Sequence, residues 1–426
     1  MILSFNRAVI LSLLLVSIGL FFLPISIGLS NFLIVAAVVS LFAGQWRQRF
    51  SMIFQYRFVW VSLAFVVFIF CAAFWNSWNL HAGIMEWKKY TYKIIVFLLL
   101  LPFLCHARWR RRAFWSLVLG AVLISIILSV LRIFHLADSV TIATLFHHKI
   151  RLDYSPWSLI PLSILCAYLA YALLLLACQT DLISRVRVYY FVGALWFYIY
   201  LFFFNPKRTG MVCALVLLIV LAFQKLRFRR AITILFSLAI LVVLLYQFSP
   251  MVHKRFDKAR ANIASYQQAA QSGFTEKGSY QAIISPLGLR FYAVHLGQQL
   301  FKHKPLLGYG SGSFSDAYHS LHDKFLIHFE RTYFGDPDNA YLYVAVQWGA
   351  VGLILFLLWM IVQFYEAKHL TLNHKRLARG LIINFMVACL FSSAFWEHIS
   401  LFSFLMVSAI LYGTRFEWHQ AEQGGM

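Results

Sequence analysis

The chain has 426 residues, of which 62% are hydrophobic and 18% aromatic, and its formal net charge is +22. A soluble domain of this length does not have that balance, whereas a bundle of transmembrane helices does. The charge alone would allow nucleic-acid binding, but the basic residues are distributed between alternate loops of the chain, which argues against a nucleic-acid partner.

A membrane-spanning helix needs about 20 mostly apolar residues. About twelve segments approach this length, or ten to eleven if short neighbours merge. The predicted spans are 8–25, 27–45, 58–76, 92–105, 114–136, 157–178, 189–205, 209–224, 231–248, 340–364, 380–396 and 400–414. We therefore predict an all-α polytopic membrane protein. Its first span is predicted to be a retained signal-anchor, because no small-residue cleavage site follows it.

The loops between these spans alternate in charge. Basic clusters lie at 47–57, 108–112, 185–187, 225–230 and 368–379. This alternation follows the positive-inside rule and predicts that both termini are cytoplasmic. The external side then holds the turns 77–91, 137–156, 205–208 and 397–399 and one long segment, 249–339.

The long segment 249–339 divides the chain into three predicted regions. Spans one to nine occupy 1–248, the segment itself is an external loop, and 340–426 holds spans ten to twelve and a cytoplasmic tail. The loop carries ten Lys and Arg residues. Long segments cross a membrane largely regardless of their charge, so the topology stands. The excess of positive charge predicts an anionic partner.

Two helices are predicted inside this loop. Residues 254–270 contain few helix breakers, and 287–303 show apolar residues at helical spacing between Pro286 and Pro305. Gly-rich turns, including 308–312, separate and follow them. Such amphipathic helices would lie along the bilayer surface and cover a cavity between bundle and loop.

The loop after the fifth span reads His-His-Lys-Ile-Arg-Leu-Asp-Tyr at 147–154. Adjacent histidines rarely form a metal site without further ligands. Lys149 and Arg151 are therefore predicted to bind an anion or an acceptor. Glu397 and His398, in a short external turn, are a weaker candidate of the same kind.

The external turn 205–210 contains the basic pair Lys207 and Arg208. Such a pair can serve only to anchor helix ends at the membrane interface. Positive charge on the external side runs against the trend, however, and an arginine there could grip a phosphate through two hydrogen bonds.

Arg290 lies in the first turn of the second loop helix, with Arg255 upstream. A lone helical arginine is more often solvated than functional. Arg290 gains weight because His295 and Lys302 follow on the same segment, which makes an anion-binding face the alternative prediction.

Residues 336–341 read Asp-Pro-Asp-Asn-Ala-Tyr and precede the tenth span. Asp338 or Asn339 could be a plain helix N-cap. Alternatively, Asp338 is a general base that takes a proton from an attacking hydroxyl. Asp336 and Asp338 could also hold a divalent ion.

Motifs typical of nucleotide-binding loops, metalloproteases and serine hydrolases are missing from the sequence. A transporter or flippase for an anionic lipid is an alternative that would use the same arginines. It would require broken helices with polar residues at mid-membrane, and the sequence indicates few of them.

Four segments together resemble the O-antigen ligase and polymerase superfamily of bacterial inner membranes. They are KRTG (207–210), RFDKARANIASY (255–266), LGLRFYAVHLGQQLFKHKPLLGYGSGSF (287–314) and DNAYLYVAVQWGAVGL (338–353). The resemblance implies a helical bundle with a large periplasmic loop, similar to type-C glycosyltransferases. Such enzymes take a glycan from undecaprenyl diphosphate at the periplasmic face. Ligases transfer it to lipid A-core, and polymerases transfer it to another lipid-linked glycan.

The resemblance also assigns roles. The family arginines that are thought to hold the diphosphate correspond to Arg208 and Arg290. The family histidine that activates the acceptor corresponds to Asp338, a departure that keeps a proton acceptor. Residues predicted to orient or bind substrate are Asn339, Tyr341, Arg151, Lys149, Lys207 and Arg255. The implied reaction is inverting and uses neither metal nor cofactor, and ligase is preferred to polymerase.

Overall fold

A computed structural model of the chain is helical throughout the part that it describes. The described residues are 7–41, 51–75, 79–134, 159–179, 183–205, 207–226, 250–271, 286–325 and 337–414, with a few isolated positions between 228 and 247. These ranges contain no strand. The α-helices are α1 Arg7–Phe22, α2 Ile27–Leu41, α3 Arg57–Ala73, α4 Leu80–Leu100, α5 Ala107–Ile133, α6 Leu159–Ala177, α7 Ser184–Ile199, α8 Arg208–Lys225, α9 Pro250–Gln271, α10 Pro286–His303, α11 Phe314–Phe325, α12 Ala340–Glu366, α13 Leu372–Phe391 and α14 His398–Tyr412.

Within the described ranges, five helical segments are long and apolar enough to cross a membrane, namely Ala107–Ile133, Leu159–Ala177, Ser184–Phe204, Arg208–Lys225 and Ala340–His369. Shorter apolar helices accompany them at Val9–Phe22, Ile27–Val38, Arg57–Ala73 and His398–Tyr412. The prediction of an all-helical membrane protein is therefore confirmed. The number of spans stays a prediction, and the proposed span 231–248 lies almost wholly outside the described residues.

The predicted external turn 77–91 and span 92–105 are wrong in their boundaries. Helix α4 begins at Leu80, where Asn79 accepts a hydrogen bond from the Ala82 amide, and it runs to Leu100. The sequence looked like a loop because this helix carries several charged residues. One of them, Lys93, is fully buried between the helices, so tertiary packing overrides the polar composition of the segment.

Lys93 is an unusual feature of this bundle. Among the residues that the structure describes, its Nζ atom has no hydrogen-bond partner, and the centroid of the Tyr90 ring lies 5.8 Å from Nζ. An unpaired buried polar group costs free energy, because its lost hydration is not replaced.

Replacing Lys93 with Met keeps the length of the stem and removes the buried amine. We expect Lys93→Met to raise the free energy of unfolding by about 1–3 kcal/mol, measured as a higher melting temperature of the detergent-solubilised protein. Lys88 lies on the same helix and is exposed, so Lys88→Met is the matched control and should change little. Equal melting temperatures for both variants would contradict this account of Lys93.

The helices between α8 and α12 form a small domain-like layer on the bundle. The predicted helices 254–270 and 287–303 are confirmed as α9 and α10, whereas α11 was not predicted. The three helices share an apolar cluster with the first half of α12, formed by Ala269, Tyr292, Leu296, Leu300, Tyr309, Phe314, Ala317, Tyr318, Leu321, Tyr343 and Val346. This cluster fixes the layer on the end of α12.

Helix α12 is broken at Gly349, whose φ is 62° and ψ −163°. In an unbroken α-helix the amides of residues 350 and 351 would bond to the carbonyls of 346 and 347. Here the Ala350 and Val351 amides donate instead to Pro305 and Leu306 (2.8 and 3.2 Å). The freed carbonyls of 346 and 347 accept from the amides of 309 and 310 (3.1 and 2.7 Å).

The segment 305–312 that fills this break is named here the bracing loop. It also reaches α3, since the Ser311 amide donates to the Ala72 carbonyl (3.0 Å) and the Ser311 hydroxyl to the Ile69 carbonyl (2.7 Å). Broken helices are tolerated at membrane depth when other protein groups satisfy the freed backbone. The loop after α10 is therefore a structural part of the bundle.

Candidate functional site

The structure brings together two of the residues that the sequence marked as catalytic. Arg290 on α10 donates from Nε to Oδ2 of Asp338, just before α12, over 3.0 Å. The two side chains are 47% and 30% exposed. Because both remain open to solvent, the pair is held weakly, by about 1 kcal/mol or less. The two residues stay accessible to a substrate.

The backbone at Asp338 has a φ of 50°, the single positive value among the described non-glycine residues. Aspartate and asparagine are the side chains that tolerate this left-handed conformation best. The turn directs the chain into α12 and places the carboxylate in front of the helix start, where it faces Arg290.

Close packing holds α10, and with it Arg290, against α12. Gly297 lies over Leu342, and a Cβ added at Gly297 would come within 2.5 Å of that side chain. Tyr292 and Leu296 are fully buried in the shared cluster. Arg290, by contrast, is on the exposed face of the same helix, so a packed helix presents an exposed guanidinium.

Asn339 is the N-cap of α12, one of the two readings that the sequence left open. Its Oδ1 accepts from the Leu342 amide (2.9 Å), and its Nδ2 donates to the Leu390 carbonyl at the end of α13 (3.2 Å). Tyr341 donates from its hydroxyl to the Met386 carbonyl (3.0 Å). Both side chains therefore tie α12 to α13, and their predicted contact with substrate stays a prediction.

Replacing the N-cap residue Asn339 tests whether this side chain contributes only to stability or also to activity. Asn339→Ala should lower the free energy of unfolding by about 1 kcal/mol. The matched control is Asn79→Ala, which removes an equivalent cap from α4. If Asn339 also orients Asp338, only Asn339→Ala should reduce the glycan transfer that the family resemblance implies, beyond the loss of folded protein. Equal transfer by both variants, per folded molecule, would leave Asn339 with capping alone.

Arg208 begins α8 and is exposed, and Lys207 precedes it. The turn is fixed by Asn205, whose Oδ1 accepts from the Lys207 amide (2.8 Å). Arg132, at the end of α5, donates to the Phe204 carbonyl (2.6 Å). These contacts order the backbone of the turn and leave the guanidinium of Arg208 exposed.

Contacts along α13 place Arg208 and Asp338 at the same end of the bundle. The end of α13 meets the start of α12 through the bond from Asn339 to Leu390. Further along, the Asn384 carbonyl contacts Cys213 Sγ on α8 over 3.8 Å. Arg208 lies five residues before Cys213, which is about 7 Å along the helix axis toward that same end.

Two partly buried ionisable groups of the insertion, His295 and Tyr266, have shifted pKa values. Burial, and then nearby Lys302, lower the pKa of His295 below its usual 6.5. His295 is therefore mostly neutral at neutral pH and does not add to the positive face that the sequence suggested. Burial also raises the pKa of Tyr266 to about 12. The cationic groups near the site are thus the arginines and lysines.

These observations prepare the comparison with known families. Residues 193–357 match the Wzy_C family model, O-Antigen ligase. The match supports the O-antigen ligase and polymerase superfamily, and the resemblance drawn from the motifs is confirmed at that level. Members of this family are glycosyltransferase-like enzymes, so the match supports an enzymatic role at the level of the family. None of the curated proteins compared matches the chain.

The matched span contains most of the predicted site. Lys207, Arg208, Arg255, Arg290, Asp338, Asn339 and Tyr341 all lie within it. The structure describes the backbone of Arg255 within α9 but not its side chain. Lys149 and Arg151, with the rest of 147–154, lie outside both the matched span and the described residues.

One polar contact near the site was missed from the sequence. Glu86 on α4 accepts a hydrogen bond from the Tyr343 hydroxyl (2.7 Å), one turn after the start of α12. Lys89 lies over the Trp396 ring, with Nζ 3.9 Å from its centroid. The helical spacing of Glu86, Lys89 and Lys93 could have indicated a helix with one polar face, but the segment was interpreted as a loop.

His398 has partners inside the bundle. Its Nε2 lies 2.8 Å from Asn31 Nδ2 and 3.1 Å from the Tyr92 hydroxyl. These contacts join α14 to α2 and α4. They give His398 a packing role, and the weak binding role that the sequence suggested stays a prediction.

Proposed function

We propose that this chain is an O-antigen ligase, which transfers a glycan from undecaprenyl diphosphate to lipid A-core. The observation that carries the proposal is the ion pair between Arg290 and Asp338 in front of α12. It joins a phosphate-binding group and a proton acceptor, the two functions that such a transfer needs, within the segment that matches the family.

In the proposed resting state, before the donor binds, the Arg290 side chain is paired with the carboxylate of Asp338, which is the proposed base. The donor diphosphate carries more negative charge than one carboxylate, and arginine binds phosphate oxygens through paired hydrogen bonds. Donor binding would therefore draw Arg290 from Asp338 at a cost of about 1 kcal/mol or less, the worth of an exposed pair. Loss of the Arg290 contact would make the Asp338 carboxylate a stronger proton acceptor when the donor is present.

The proposed chemical step is an inverting displacement. Asp338 takes the proton of the acceptor hydroxyl while that oxygen bonds to the anomeric carbon. The bond from the anomeric carbon to the diphosphate oxygen breaks, and undecaprenyl diphosphate leaves with the electron pair. Arg208 and Arg290 offset the negative charge that grows on this leaving group. No metal or cofactor enters the proposed step.

The proposed topology places this step in the periplasm. The chain would span the bacterial inner membrane with both termini in the cytoplasm, and 249–339 would be periplasmic between the helices of 1–248 and 340–426. The exposed Arg208, Arg290 and Asp338 would then share the periplasmic end of the bundle. Lys149, Lys207, Arg151 and Arg255 would extend the anionic site, with the polyprenyl tail entering from the lipid.

The proposal is tested by deleting the gene in its host and separating the lipopolysaccharide on a gel. A ligase predicts that the whole polymer ladder is lost while long glycan accumulates on undecaprenyl diphosphate. Wild-type chain should restore the ladder, and Arg208→Ala should not, although it inserts normally. Core that carries a single repeat would instead identify a polymerase. An unchanged gel would exclude both and favour transport or another acceptor.

A further inference from the structure

A separate cavity lies at the other end of the bundle. It has a volume of about 830 Å³ and opens between α5, α6, α7, α13 and α14. Thr371 and His374, at the start of α13, belong to its wall. Asp338 adjoins the opposite end of α13, at Leu390, through its neighbour Asn339. The cavity is therefore remote from the candidate active site.

Most of the cavity wall is apolar or aromatic. Trp115 on α5 stacks on Tyr190 of α7, with ring centroids 5.6 Å apart and planes 8° from parallel. Phe114, Leu377 and Leu411 also belong to the apolar part of the wall. Such a surface can bury a hydrocarbon chain. A small hydrophilic ion would leave most of this apolar surface without a contact.

The wall also carries basic side chains. Arg110 and Arg111 lie next to each other at the start of α5, and the lining residues that the structure describes include no Asp or Glu. Arg110 is buried and donates to the carbonyls of Leu104 and Cys105, which fixes its position. Arg111 is exposed at the wall. A ligand that suits this cavity combines a negative head with an apolar tail.

We propose that the cavity binds an anionic phospholipid of the surrounding bilayer. The phosphate would meet Arg110 and Arg111, and an acyl chain would lie along Trp115 and Tyr190. Basic pockets between transmembrane helices are known to hold anionic lipid headgroups. An excess of positive charge at this membrane face would attract anionic lipids without any cavity. The concave apolar wall and its stacked Trp115 and Tyr190 rings instead favour one bound lipid. The site is independent of the proposed glycan transfer.

The test uses the full-length protein in nanodiscs or detergent, with phosphatidylglycerol and phosphatidylcholine compared by native mass spectrometry. We expect phosphatidylglycerol to remain bound at higher collision energy and to raise the melting temperature. Arg111→Glu should weaken its binding at least about fivefold, in line with the contribution of one basic residue near a lipid surface. Arg108→Glu makes the same charge change on the same helix outside the cavity wall, so it should retain most of the binding.

Further outcomes separate the sources of the signal. Trp115→Ala should weaken phosphatidylglycerol binding without changing the net charge. Equal losses in Arg108→Glu and Arg111→Glu, with none in Trp115→Ala, would overturn the proposal in favour of diffuse surface electrostatics. Full competition by soluble glycerol phosphate would also overturn it, because the apolar wall would then contribute nothing. Preferential retention of a polyprenyl phosphate would assign the cavity to a different lipid.

Discussion

Asp338→Asn is expected to lower the rate of the proposed glycan transfer by about 10²–10⁴-fold, the usual contribution of a general base. Asparagine can occupy the left-handed conformation at position 338, where φ is 50°, so the turn should survive the change. Its side-chain oxygen can still accept from Arg290, but it cannot take a proton from the acceptor. The measurement is single-turnover transfer from a purified lipid-linked glycan to lipid A-core.

The matched control for this variant is Asp316→Asn. Asp316 is an exposed carboxylate in the first turn of α11, in the same insertion. Its loss should weaken only a favourable helix-end interaction, by about 0.3–1 kcal/mol. Arg290→Ala should abolish transfer as well, because it removes a diphosphate ligand. If Asp338→Asn transfers glycan as fast as Asp316→Asn, then Asp338 is not the base.

Gly349→Ala is expected to reduce the amount of folded protein severely, with a loss of about 2 kcal/mol or more in the free energy of unfolding. The residue occupies a φ of 62°, which alanine adopts with strain, and an added Cβ would lie 2.2 Å from the Leu306 carbonyl oxygen. The bracing loop would have to withdraw, leaving the amides of Ala350 and Val351 without acceptors. The measurement is thermal unfolding of the solubilised protein, followed by fluorescence size exclusion.

Gly28→Ala supplies the control for Gly349→Ala. Gly28 lies in helix α2 and has nothing within 4 Å of an added Cβ. Alanine favours a helix by about 1 kcal/mol relative to glycine, so this variant should be neutral or stabilised. Normal folding of Gly349→Ala would mean that the bracing loop does not pass through the break in α12.

The break in α12 bears on the transporter alternative as well. The sequence indicated few broken helices, and the break in α12 at Gly349 was not predicted. A transporter would use the freed backbone groups to coordinate its cargo. In this chain the bracing loop takes up the freed groups at 346, 347, 350 and 351. The break therefore serves to anchor the insertion that carries Arg290, which favours a fixed site for chemistry over a moving gate.

Some elements of the fold followed directly from local sequence. Helices α9 and α10 were predicted because helix formers and flanking prolines act within a few residues of each other. Helix α4 was misplaced because Glu86 and Lys93 resemble loop residues until their surroundings are known. Helix α11 was missed because Gly-rich turns, including 308–312, were predicted to follow α10, and no helix was predicted after them.

For this protein, the sequence by itself determined the helical membrane class, the candidate residues Arg208, Arg290 and Asp338, and the resemblance to the O-antigen ligase and polymerase superfamily, because apolar length and short motifs are local properties. Only the tertiary structure decided that Arg290 meets Asp338, since the two are 48 residues apart and converge through the packing of α10 on α12. Likewise, the sequence around Gly349 predicts a continuous helix. Only the structure shows that the bracing loop supplies hydrogen-bond partners for the backbone groups freed at the break. Contacts between distant segments depend on how whole helices pack, and local sequence patterns do not predict that packing.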